Sequence, residues 1–305
     1  MISESAASNA AIQSQATQAT SKKFQFDQRY VAPIIVTSLL IASQHRFGVL
    51  SLRFTLSAII TAILVEIALS KYTTGKFPHL ASAYISGISV GILIHTQFYW
   101  PFILCAAISI ASKYVLRWEG RHLWNPSNFG ICAMLLLAHE NTATLMQQWD
   151  NRNYAIYLIW LVGAFTIYRL KRFHICATYI AAFLFFAWLR TFITGHGFWT
   201  EAGPITGPMY QLFIFFMITD PKTTTKSRLG QMSVALGVAT MEMILRTLAH
   251  FAGAFSGNEN LYAFILNLGI HAPYFALFTV GPVANALEIW KNKQQASAKP
   301  ELQVA

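Results

Sequence analysis

The sequence predicts an all-α, polytopic membrane protein of about ten transmembrane helices, on three observations. Apolar residues supply 55% of the chain and charged residues only 11%, against roughly 25% charged in an ordinary soluble domain. So little charge cannot furnish a hydrated shell for 305 residues, which leaves lipid as the solvent for much of the surface. The apolar residues fall in runs at 30–44, 49–70, 80–99, 100–116, 125–139, 154–168, 173–194, 205–219, 229–249 and 260–284. The basic residues between those runs alternate in number. With ten spans, 17 of the 22 Lys and Arg fall on the side of the two termini, and Arg46, Arg53, Arg152, Arg190 and Arg246 on the other. The positive-inside rule then puts both termini in the cytoplasm.

The same pattern excludes other classes. A net charge of +10 and a pI near 9.6 suit nucleic acid, but the cations sit in short clusters between apolar runs instead of one stripe, so no nucleic-acid partner is expected. Cys105, Cys132 and Cys176 lie far apart inside apolar runs and form no C-x-x-C pair, so they read as small buried residues. No G-x-G-x-x-G and no Walker A sequence occurs, and the nine histidines never cluster. A hydride or electron donor must therefore be another polypeptide or a diffusible carrier. The chain divides into a cytoplasmic tail at 1–28, a transmembrane domain at 29–290 and a second tail at 291–305. The Ser, Ala, Thr and Gln of 2–21 lack the apolar core of a signal peptide.

Three runs are short for a crossing that needs roughly 20 residues. They are Trp100–Ser112, Asn125–His139 and Pro208–Thr219. Short runs interrupted by Pro belong to broken helices whose free ends line a site, or to spans that tilt little and extend into polar flanks. The first chemical constellation runs from Lys113 through Arg117, Gly120, Arg121 and Trp124 to Asn125-Pro126-Ser-Asn128-Phe129-Gly130. Asn at the N-cap with Pro at the first helical position starts a helix. Its free N–H groups and positive dipole end suit an anionic or electron-rich ligand, although any well-capped helix has the same end. The second is Thr219-Asp220-Pro221-Lys222-Thr223-Thr224-Thr225-Lys226, a hydroxyl-rich turn between two runs. Both fall on the basic side, so a shared site is expected.

Other residues carry weaker signals. Glu242 and Arg246 stand one turn apart and can pair. Glu66, His95 and His271 lie in or near apolar runs, where an ionisable group is a functional candidate or a satisfied interhelical hydrogen bond. Tyr99, Trp100, Trp124, Tyr154 and Trp290 at run ends fit interfacial belts.

The motif pair, roughly G-x-x-x-x-N-P-x-x-F followed by T-D-P-x-T some ninety residues on, resembles the NqrB/RnfD family. These are membrane subunits of sodium-pumping NADH:quinone reductase and of the Rnf complex. The likeness covers about residues 75–285, including the run Asn260-Leu-Tyr-Ala-Phe-Ile-Leu-Asn267 through Pro273. It is closer to shorter relatives found beside enediyne-biosynthesis genes, UnbU. The resemblance implies an inverted 5+5 repeat with broken helices and a redox role in the cell inner membrane. It also implies FMN or riboflavin as cofactor, and quinone, other redox subunits and cation movement as partners in the function. On it, Lys113, Arg121, Asn125, Pro126, Asn128, Phe129, Thr219, Asp220, Pro221, Thr223 and Thr224 are the expected ligand-binding residues. The family's covalent FMN hangs on the Thr of Ser-Gly-Ala-Thr in an outer loop. The corresponding loop here carries Asn141-Thr142-Ala143-Thr144, where only Ala-Thr agrees, so noncovalent flavin is the expectation and Thr144 the site of any covalent one. A transporter or channel on the same fold, or an accessory protein without a ligand, remains open at this level.

Overall fold

The computed structural model describes residues 33–35, 37, 38, 40, 41, 52–144 and 154–298. The tail at 1–28, the start of the first apolar run and the end of the loop after Thr144 lie outside them. Among the described residues the chain is all-α apart from four two-residue strands. In order come α1 (Leu52–Thr74), α2 (Ala81–Leu93), β1 (Ile94–His95), α3 (Tyr99–Val115), β2 (Arg117–Trp118), β3 (Arg121–His122), α4 (Pro126–Leu137) and β4 (Ala143–Thr144). Then follow α5 (Tyr154–Leu170), α6 (Phe173–Thr194), α7 (Phe198–Ala202), α8 (Pro208–Leu212), α9 (Arg228–His250), α10 (Glu259–Ile270) and α11 (Ala272–Ala298). The last helix extends into the stretch expected as a tail. β2 and β3 form a small hairpin, while β1 pairs antiparallel with the distant β4.

Every apolar run with described residues contains a helix, but three depart from expectation. Trp100–Ser112 belongs to a helix of 17 residues, because Lys113 and Tyr114 continue it. The truncated helix is its neighbour α2, of 13 residues; it stops at Ile94 because Ile94 and His95 turn extended to pair with Thr144 and Ala143. The tenth run is not one rod, since α10 and α11 meet at His271 with a bend of 80°. Among the described residues three helices, α1, α6 and α9 with its continuation to Phe255, are long and apolar enough to cross a membrane, and four if the bent pair counts as one.

The faces of these helices are sorted as lipid sorts them. On α1, Leu52, Leu56, Ile60 and Leu64 are exposed along one stripe, while Thr55, Ala58, Ala62 and Glu66 are buried. On α9, Leu229, Met232, Leu236 and Ile244 face out, and Ala235, Val238, Ala239 and Glu242 face in. Large apolar side chains outside with small and polar ones inside is the arrangement of helices that associate by close packing in hydrocarbon. In the N-terminal half α1 packs against α2 and α3, and α3 against α4; in the C-terminal half α6 packs against α9, and α9 against α10 and α11.

Candidate functional site

Asn125 starts the site. Its backbone is extended (φ −65°, ψ 122°) and its Oδ1 accepts the Asn128 N–H at 3.1 Å, so it caps α4, with Pro126 placed where no N–H is needed. Its Nδ2 is then left to donate elsewhere, and it donates to Asp220 Oδ2 at 2.9 Å. The two motifs, 95 positions apart, are thus joined by one hydrogen bond.

Asp220 follows α8, which after Leu212 widens into a π turn at Phe213–Met217. Its carboxylate holds its own loop: Oδ1 accepts the Lys222 N–H at 3.1 Å and Oδ2 the Thr223 hydroxyl at 2.9 Å. Both loops are also clasped from α11. Asn285 Nδ2 donates to Leu123 O at 3.0 Å and to Thr223 O at 2.7 Å. Glu288 pairs with Arg121 at 2.8 Å and accepts the Lys226 N–H at 2.6 Å. Asn285 and Glu288 belong to no motif, although polar residues three apart share a helix face; they lie between the end of the last apolar run and the tail, where the sequence assigns them no role.

Behind this junction lies a cavity of about 840 Å³, within the roughly 300–1,000 Å³ of small-molecule sites. One wall is α2, which offers Ser82, Ser86 and Ser89 alternating with Ile85 and Ile92. The end of α8 and the π turn after it add Leu212, Phe215 and Phe216. The rim carries Lys113, Arg169, Lys222 and His122 against the single carboxylate of Asp220. The lining is thus largely apolar, with more cationic than anionic side chains.

Of the expected residues, Lys113, Asn125, Pro126, Thr219, Asp220, Pro221 and Thr223 line this cavity. The Lys113 charge is already met: Nζ lies 3.0 Å from Glu66 Oε2 and 3.1 Å from Ser82 Oγ, and Tyr114 donates to the other Glu66 oxygen at 2.9 Å. Arg121, Asn128, Phe129 and Thr224 do not line it. Arg121 is held by Glu288, Asn128 Nδ2 donates to Tyr274 O, and Phe129 packs on Trp124 and Phe278. The Thr224 hydroxyl donates to Asp220 O at 2.6 Å. These four hold the loops that form the site. Thr144 is buried in β4 with its Oγ1 2.7 Å from His271 Nδ1 and 3.3 Å from Met209 Sδ, outside the cavity lining.

Of three further contributors to the cavity, His122 lies inside the first constellation without being singled out in it, and α2 and Arg169 belong to neither motif. The histidine sits in the β2–β3 hairpin, where burial first, and then Arg117, Lys113 and Lys222, push its pKa below the ordinary value, partly opposed by Asp220. Its Nδ1 is buried with no hydrogen-bond partner among the described residues, while the residue itself borders the cavity. Among the described residues no group of His, Cys, Asp and Glu is arranged to hold a metal, and all three cysteines are free and buried. No protein-family model and no curated protein matches the chain.

Proposed function

We propose that the chain is an integral membrane electron-transfer subunit, resembling NqrB/RnfD, whose cytoplasmic-side cavity binds a flavin or quinone without a covalent bond. The observation that carries this is the cavity itself: apolar walls, a serine-bearing α2 and a cationic rim, closed by the Asn125–Asp220 bond. A flat ring system with polar edges suits an apolar lining of this kind interrupted by serine hydroxyls and cationic side chains. Either cofactor supplies reversible electron chemistry when bound. Phe215 and Phe216 would supply apolar contact to it, and Lys222 and Arg169 would favour negative charge on it. The buried, engaged hydroxyl of Thr144 favours noncovalent binding.

The same reading takes the fold as ten spans in an inverted 5+5 repeat, in the inner membrane with both termini cytoplasmic. Its support is the charge asymmetry, the outward apolar stripes and the recurring order of helices. In each half a long helix (α1, α6), a truncated one (α2, α8) and a third (α3, α9) succeed one another, with the first packed on the third. Partner redox subunits and coupled cation movement belong to this proposal. A second reading, a transporter or channel for a small solute or cation, is favoured by the two truncated helices that both contribute to the cavity lining.

Titrating riboflavin, FMN and a short-chain quinone separately into the purified protein distinguishes the two. The redox reading expects saturable binding of at least one of them, weakened about tenfold or more by Asp220→Ala. No saturable binding of any of the three shifts the reading to transport.

A further inference from the structure

A second cluster of polar side chains, none of which lines the cavity, joins α6, α8 and α9 in the C-terminal half. At its centre is Glu242 of α9, whose side chain is 1% exposed. Both of its oxygens accept phenol hydrogen bonds of 2.5 Å, Oε2 from Tyr179 on α6 and Oε1 from Tyr210 on α8. Arg246, one turn on, stands 3.8 Å away, and its Nη1 makes no hydrogen bond among the described residues. Arg190 on α6 is the other charged group near enough to act on Glu242, and it is ion-paired to Glu201, which also accepts from Thr194 and His196. α10 and α11, also packed on α9, bring no titratable group among those acting on the carboxyl.

A carboxylate buried in an apolar bundle is costly and is retained where it carries protons or ions. Here one cation is committed to Glu201 and the other is held loosely. The short contacts come instead from two phenols, each of which can accept as well as donate. Tyr210 is the telling partner. It belongs to α8, and the π turn that follows it supplies Phe215 and Phe216 to the cavity wall before the chain reaches Asp220. A π turn inside a short helix is a feature found often at functional sites.

We propose that Glu242 is a proton-binding carboxyl that links proton uptake in this half of the molecule to the α8 wall of the cavity. The proton forms a bond to Oε1, and the neutral carboxyl then donates to the Tyr210 oxygen, which had been the donor. The phenol hydrogen turns away, and no electron is transferred. Reversing the direction of this bond alters how α8 is held, while Tyr179 goes on donating to Oε2. The link to the cavity rests on the site described above; proton binding at Glu242 does not.

Infrared difference spectroscopy of the full-length purified protein, stepped between about pH 5 and about pH 9, tests it. The wild type should gain a protonated-carboxyl band on the acid side that Glu242→Gln removes. Tyr210→Phe, which deletes a donor to the ionised form, should move the midpoint of that band to higher pH by about one unit. Hydrogen exchange of residues 208–217 should follow the same midpoint. Absence of such a band throughout the range, or a midpoint that Tyr210→Phe leaves in place, overturns proton binding. A titrating Glu242 with unchanged exchange in 208–217 overturns the link to the cavity while leaving the flavin reading untouched. Should Glu242→Gln not fold, the midpoint shift in Tyr210→Phe and Tyr179→Phe decides alone.

Discussion

Asp220 is the residue on which two distant loops depend. Replacing it with Ala leaves the Asn125 amide, the Thr223 hydroxyl and the Lys222 N–H without their acceptor, and each such loss costs about 1–3 kcal/mol where water cannot substitute. Asp220→Ala should therefore lower the melting temperature more than Asp220→Asn, whose amide oxygen still accepts. His122 gives a second prediction, in pH. Its folded pKa lies below the ordinary value of 6.5, so the unfolded chain takes up a proton that the folded chain refuses. Its contribution to stability is complete above that value and is lost as the pH falls below it. The drop in melting temperature between about pH 7 and about pH 5 should accordingly be shallower in His122→Asn than in the wild type. Residue identity alone makes much of this legible: an N-cap Asn before Pro and an Asp before Pro-x-Thr each announce a backbone task. What single residues do not reveal is direction. Asn128 and Phe129 belong to the same motif as Asn125, yet a helix rotates each by its own angle, and α11 receives them both.

At the scale of elements, the apolar runs locate the helices, while their ends and breaks follow from contacts distant in sequence. α2 stops because β1 pairs with β4, and nothing local to residues 94–95 announces a partner some fifty positions away. The bend between α10 and α11 is hidden likewise in a continuous apolar run. Orientation is legible only where a helix mixes small and large side chains, as on α1. Close approach is visible in the glycines. A Cβ on Gly130 of α4 would collide with Ser109 Oγ and fall 2.7 Å from Cys105 O of α3, so backbone must move to admit it. Gly130→Ala should destabilise the protein by about 1–3 kcal/mol, read as a lower thermal midpoint in detergent. An unchanged midpoint would mean that α3 and α4 do not meet this closely. Because α4 carries Asn125 at its head, the same variant should also weaken flavin binding through misplacement of the cap.

For the whole molecule, composition and the uneven distribution of basic residues point to the class, and the folded chain answers with an all-α body whose longest helices turn apolar stripes outward. The meeting of the two motifs is legible as an expectation, because both fall on the basic side. The cavity is not, since part of its wall comes from α2, a stretch of Ser and Ile with no motif. Nor is the clasp from α11, whose Asn285 and Glu288 fasten both loops. The proposal that this cavity holds a flavin or quinone makes a visible prediction. The absorption spectrum of the purified protein, taken before and after acid precipitation, tests it most directly. The account predicts a flavin spectrum that passes into the supernatant on precipitation, or a quinone that organic solvent extracts from the pellet, either of them lost from Asp220→Ala; a well-folded preparation with neither would contradict it.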